Sequence, residues 1–121
     1  MARVVAFIPD LLLGSNVLGA LSASGHETSL VSDGDGLRRE LDTAEALVVD
    51  LTADAPARIE QVSALIRWHA GVKTLAFYSH VEADVRAQAE QAGFDLVIPR
   101  SRMNREGAGL VTRLLENPPT D

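Results

Sequence analysis

The sequence predicts an α/β domain: a doubly wound, five-stranded parallel sheet in the order 2-1-3-4-5 with helices on both faces. Two observations carry this. Five short apolar runs recur along the 121 residues, each closed by a polar residue, Pro or Gly. Between them lie stretches in which apolar residues repeat at helical spacing. Runs that stay apolar at consecutive positions suit strands buried on both faces. Strands that alternate with helices imply right-handed crossovers within one sheet.

The first strand is Val4-Val5-Ala6-Phe7-Ile8, ended by Pro9 and Asp10. Leu13, Val17, Leu18 and Leu21 then share one helix face, and Gly25 supplies a left-handed stop. Thr28 to Val31 forms the second strand, and Leu37 and Leu41 mark a short second helix. Between these two, Asp33-Gly34-Asp35-Gly36 has only a fragment of a calcium loop and is expected to be a turn. The third strand, Ala46-Leu47-Val48-Val49, stops at Asp50. Asp54-Ala55-Pro56 provides an N-cap and an early proline for a helix carrying Ile59, Val62, Leu65, Ile66 and His69. Trp68-His69 on that helix is expected at the core and its rim. Thr74 to Tyr78 is the fourth strand, and Val81, Val85, Ala89 and Ala92 outline a helix closed by Gly93. Asp95 to Ile98 is the fifth strand, ending at Pro99-Arg100-Ser101. A last helix, roughly Met103 to Leu115, is weakened by Gly107 and Gly109. Residues 1–116 thus form a single domain, and 117–121 read as a flexible tail.

Composition narrows the function. The 17 acidic side chains outnumber the 11 basic ones for a formal charge of -6, which disfavours nucleic acid or an anionic membrane as partner. No cysteine is present, so disulfides, zinc–thiolate sites and thiol nucleophiles are excluded. The apolar run at the N-terminus is too short for a signal sequence or a membrane span, and a cytoplasmic protein is expected.

In a doubly wound sheet, ligands bind at the C-terminal ends of the strands. The residues there are Asp10, Asp33, Asp50, Thr52, Ser79, His80, Arg100 and Ser101, all of them polar. Asp10 and Asp50, at the ends of adjacent strands, are the candidate metal ligands; Asp10 is equally suited to capping the first helix. Ser79-His80-Val81-Glu82 reads as a capping box, which accounts for Ser79 and Glu82 but not for His80, which is either a solvated loop histidine or a group for a ligand or a proton. Arg100 and Ser101 open the last helix, where an anion is favoured, although Arg100 could instead pair with a strand-end Asp. Asp10-Leu11-Leu12-Leu13-Gly14-Ser15 carries no Gly-x-Gly-x-x-Gly and no Gly-Lys-Ser/Thr, so the Rossmann and P-loop readings fail. Leu11 and Leu12 are open to two places, partly exposed beside the site or packed in the core, of which core packing is the commoner for such residues. A hydrolase built on Ser79 or Ser15 with His80 lacks the Gly-x-Ser-x-Gly elbow, so nothing specifies an enzyme.

This arrangement resembles the receiver domains of bacterial response regulators, which share the flavodoxin-like, CheY-like strand order. Asp10 matches the second acid of the receiver's pair after strand one. Asp50, in Leu47-Val48-Val49-Asp50-Leu51, matches the phosphoryl acceptor, and Ser79 matches the hydroxyl position after strand four. Ala89-Glu90-Gln91-Ala92-Gly93 looks like the small-residue helix end before strand five. The resemblance implies Mg²⁺ as cofactor, a protein partner, and a signalling module without an output domain. It allows a homodimer, for which no apolar seam is evident.

Two departures are specific. Pro9 stands where the first acid belongs, and Pro99-Arg100 replaces a strand-five Lys followed by Pro. A lost carboxylate weakens an octahedral Mg²⁺ site, and Arg exchanges a compact point charge for a planar fork. The pattern points to a degenerate receiver with impaired or absent aspartyl phosphorylation, acting through protein–protein contacts. The alternative is a small domain that binds an anionic or polar ligand in the strand-end pocket with His80, Arg100 and Ser101.

Overall fold

The computed structural model describes residues 2–79 and 83–116. Five strands, β1 (Arg3–Phe7), β2 (Glu27–Val31), β3 (Ala46–Asp50), β4 (Lys73–Tyr78) and β5 (Leu96–Pro99), form one parallel sheet in the order β2-β1-β3-β4-β5. Five helices alternate with them: α1 (Leu11–Ala23), α2 (Gly34–Leu41), α3 (Ala55–Ile66), α4 (Ala83–Ala92) and α5 (Arg100–Glu116). The doubly wound α/β fold expected from the sequence is present in full.

The central strands are apolar on both faces because two layers of helices cover them. Successive side chains on a strand point to opposite faces. Val5, Phe7, Leu47, Val49 and Ala76 therefore pack with residues of α2, α3 and α4, including Leu37, Leu41, Ile59, Val62 and Val85. Val4, Ala6, Ile8, Val48 and Phe77 face the other way, against Leu13, Val17 and Leu21 of α1 and Met103, Leu110 and Val111 of α5. Gly25 and Gly93 turn the chain out of α1 and α4 at φ 91° and 100°, where a side chain would be strained.

Side-chain bonds secure the N-terminal ends of the strands. Arg3 donates to Thr43 Oγ1 and Ser29 Oγ at 2.9 Å each, to Glu27 at 3.4 Å, and to Glu40, joining β1 to β2, to α2 and to the loop before β3. Its main-chain N–H donates to Glu45 at 2.9 Å. At the start of β4, the main-chain N–H of Thr74 donates to the Asp95 carboxylate at 2.8 Å, and the Asp95 N–H returns a bond to the Thr74 hydroxyl at 2.9 Å.

Several local expectations are corrected. Leu11 and Leu12 are 71% and 75% exposed, because the face of α1 that meets the sheet is already filled by Leu13, Val17 and Leu21. Trp68 is 79% exposed, since α3 ends at Ile66 and the chain turns before Trp68 could reach the core. Asp33-Gly34-Asp35-Gly36 is a helix start rather than a free turn: Asp33 is the N-cap of α2 and accepts from Gly36 N at 2.7 Å. Asp54 precedes α3 but makes no side-chain capping bond; it adopts a left-handed conformation, φ 52° and ψ 39°. The last helix begins at Arg100, three residues earlier than expected. The capping box at Ser79-His80-Val81-Glu82 falls largely outside the described residues, as do His80, Val81 and the tail 117–121.

Candidate functional site

The strand order sets Asp10, Asp50, Ser79 and Arg100 at the C-terminal ends of four neighbouring strands, β1, β3, β4 and β5. The ladder continues past the strands proper, with Ile8 N donating to Val31 O at 3.2 Å and Leu51 N to Phe77 O at 2.8 Å. Those bonds hold the bases of the loops that carry the polar residues.

Asp50 closes β3 in register with Phe77 and is 4% exposed. A carboxylate so enclosed needs hydrogen-bond donors. Thr52 supplies two: its main-chain N–H reaches Asp50 Oδ1 at 2.8 Å and its hydroxyl reaches the same oxygen at 2.5 Å. This is an Asx-type turn, in which a side chain two residues away bends the loop back onto the strand end. Thr52 is thereby a direct partner of Asp50.

Asp10 follows a different course. It is exposed and caps α1, its Oδ1 accepting from Leu12 N at 3.0 Å and Leu13 N at 3.1 Å. The capping role weighed for it is the one seen. Ser79 is half-buried directly after β4. Arg100 and Ser101 form the exposed first turn of α5, and among the described residues Arg100 makes no ion pair with Asp10 or Asp50.

The cation found beside Asp50 comes from another element. Arg58, in the first turns of α3, donates from Nη1 to the main-chain oxygen of Asp50 at 3.1 Å. Its guanidinium lies over the ring of Phe7, 5.0 Å from the centroid. Sequence reasoning passed over Arg58. The available signal was a lone cation one turn into the helix that follows an acid-bearing strand end.

The donor set does not fit a Mg²⁺ ion. Such an ion needs several oxygens in a tight octahedron. Here Pro9 offers no side-chain ligand, and one oxygen of each carboxylate is already engaged by main-chain N–H groups. Among the described residues, no group of three His, Cys, Asp or Glu side chains could hold a metal ion.

No protein-family model matches the sequence, and no curated protein matches it. Solved structures do. A putative pilus assembly protein (CpaE) from Burkholderia thailandensis superposes with a TM-score of 0.81 at 16% identity, covering 97% of this chain and 100% of that one. A CheY-like protein (TadZ) from Pseudomonas aeruginosa gives 0.77 at 20% identity, covering 100% and 98%. A response regulator from Thermotoga maritima gives 0.81 at 15%, covering 97% and 99%. The chain therefore has the CheY-like receiver fold. Among the described residues, no helix is long and apolar enough to cross a membrane.

Proposed function

We propose that this chain is a receiver-like signalling module that acts by protein–protein contact and has no efficient Mg²⁺-dependent aspartyl phosphorylation. The observation that carries the reading is the state of Asp50. A carboxylate nucleophile needs an open oxygen and cationic groups to neutralise the phosphoryl group it receives. Asp50 is almost fully enclosed, with Oδ1 bound twice by Thr52. Pro9 offers no metal ligand, and among the described residues Arg100 makes no ion pair with the acceptor. Arg58 binds the main chain of Asp50 and not its carboxylate. What remains of a receiver is the scaffold and its surfaces, which suit recognition better than chemistry.

The test is the thermal midpoint with and without Mg²⁺ and beryllofluoride, a mimic of the acyl phosphate, in wild type and Asp50→Ala. No Mg²⁺-dependent shift in either protein is expected. A rise in wild type that disappears in Asp50→Ala would show a working acceptor and overturn the reading.

A further inference from the structure

A cleft of about 250 Å³ lies at the start of β4, at the end of the sheet opposite to Asp50. Side chains alternate along a strand, and Leu75 and Phe77 of β4 face α1 and α5. Thr74 therefore faces the side covered by α3 and α4, where it forms the floor of the cleft. The C-terminal ends of those two helices make the walls. Ser63, Ile66 and Arg67 stand on one side, and Ala92 with Asp95 of the following turn on the other.

Three features separate this cleft from an ordinary gap between helices. The first is Ser63. A serine within a helix ordinarily turns its hydroxyl to water or to the carbonyl one turn back. The Ser63 Oγ is buried and has no hydrogen-bond partner, so it retains both a donor and an acceptor. The second is charge. Arg67 and Asp95 border the cleft from opposite walls, yet they make no ion pair with each other or, among the described residues, with any other group. Asp95 is nonetheless anchored, because its Oδ2 accepts from the main-chain N–H of Thr74 at 2.8 Å and from the Thr74 hydroxyl at 3.2 Å. Thr74 is only 3% exposed, and among the described residues Asp95 Oδ1 accepts no bond. The third is the field of the helices. Both α3 and α4 end on the cleft, and the partial negative charge of a helix C-terminus adds to that of Asp95. No basic residue in the last turn of α4 offsets it. The Asp95 wall thus suits a cation, and the Arg67 wall an anion.

We infer that this cleft binds a small zwitterion of the α-amino-acid class, with its ammonium on Asp95 and its carboxylate on Arg67. A ligand of one charge alone leaves the other wall unmatched. A metal ion is not the occupant, since among the described residues no three His, Cys, Asp or Glu side chains gather to hold one. Size agrees with a small amino acid. At about 30 Å³ for each water-sized unit, the cleft has room for about eight non-hydrogen atoms. Ser63 precedes Arg67 by one turn on the same face of α3, so its hydroxyl is placed to add a hydrogen bond to the group that Arg67 holds. Arg binds a carboxylate through a planar fork, and the anchored Asp95 offers its unengaged oxygen to an ammonium. The cleft shares no residue with the strand-end loops around Asp50, so its occupancy is independent of any chemistry there.

Titration of the full chain with glycine, L-alanine, L-serine and L-glutamine, each taken to ~10 mM and followed by amide chemical shifts, tests the inference. At least one of them is expected to move the amides of Arg67, Gly93 and Asp95, with a Kd of about 0.1–10 mM. The N-acetyl and carboxamide derivatives of that amino acid each lack one charge and are expected to bind at least about tenfold more weakly. Arg67→Ala removes an exposed side chain that makes no bond among the described residues. It is expected to keep the thermal midpoint of wild type and to lose affinity by at least about tenfold. No movement of those amides with any of these amino acids at ~10 mM, equal binding of either derivative, or an Arg67→Ala chain that binds as wild type does, overturns the inference. These outcomes need neither Mg²⁺ nor beryllofluoride, so they stand apart from the test of Asp50.

Discussion

Replacing Thr52 by valine keeps the side chain's shape and removes one donor from a carboxylate that is only 4% exposed. The hydroxyl lies 2.5 Å from Asp50 Oδ1 and the main-chain N–H, untouched by the substitution, lies 2.8 Å from it. A hydrogen bond to a charged group contributes roughly 1.5–3 kcal/mol. Thr52 itself is half-buried, so water replaces part of the loss, and the lower end applies: about 1.5–2 kcal/mol. For a chain of this length that corresponds to a fall in thermal midpoint of about 5–9 °C. Urea unfolding is the assay, with a lower midpoint and an unchanged slope expected. The same substitution made on an Asp50→Ala background isolates the pair. There it is expected to cost less than about 0.5 kcal/mol, because the acceptor has gone. Equal costs in the two backgrounds would refute the assignment of Thr52 as the partner that holds Asp50.

Two further outcomes follow from the packing. Arg58→Ala is expected to cost about 1–2 kcal/mol by urea unfolding, from the lost contact with Phe7 and the bond to Asp50 O; Arg58→Lys should recover only part, since an ammonium cannot lie flat on the ring while bonding the carbonyl. Gly109→Ala should raise stability by about 0.5–1 kcal/mol, whereas Gly107→Val should lower it by about 1–3 kcal/mol because Met103 occupies the space, and the opposite order of the two by urea midpoint would contradict the packing described.

How legible each feature was depends on the range of the interaction behind it. The strands were plain because a strand covered on both faces must be apolar at every position, as Val4 to Ile8 and Ala46 to Val49 are. Strand ends were equally plain, since Asp10, Asp50 and Ser79 each interrupt such a run. Leu11, Leu12 and Trp68 were misplaced because hydrophobicity says that a side chain gains from burial and not that room exists for it. The cap at Asp33 and the left-handed Asp54 look alike in sequence, each an Asp before a helix, and differ only through backbone geometry. Arg58 went unnoticed because its two partners, Phe7 and the carbonyl of Asp50, come together only once β1 and β3 lie side by side.

The bonds made by Arg3, and by Thr74 with Asp95, have a consequence for how this fold can diverge. They fix strand register from the end of the sheet opposite to Asp50. The loops bearing Pro9, Thr52 and Arg100 are thereby relieved of aligning the strands. Residues at one pole of the sheet can change while the strand alignment is preserved from the other. Such a scaffold has latitude to alter what its strand-end loops present by small steps, each leaving a folded protein on which selection can act.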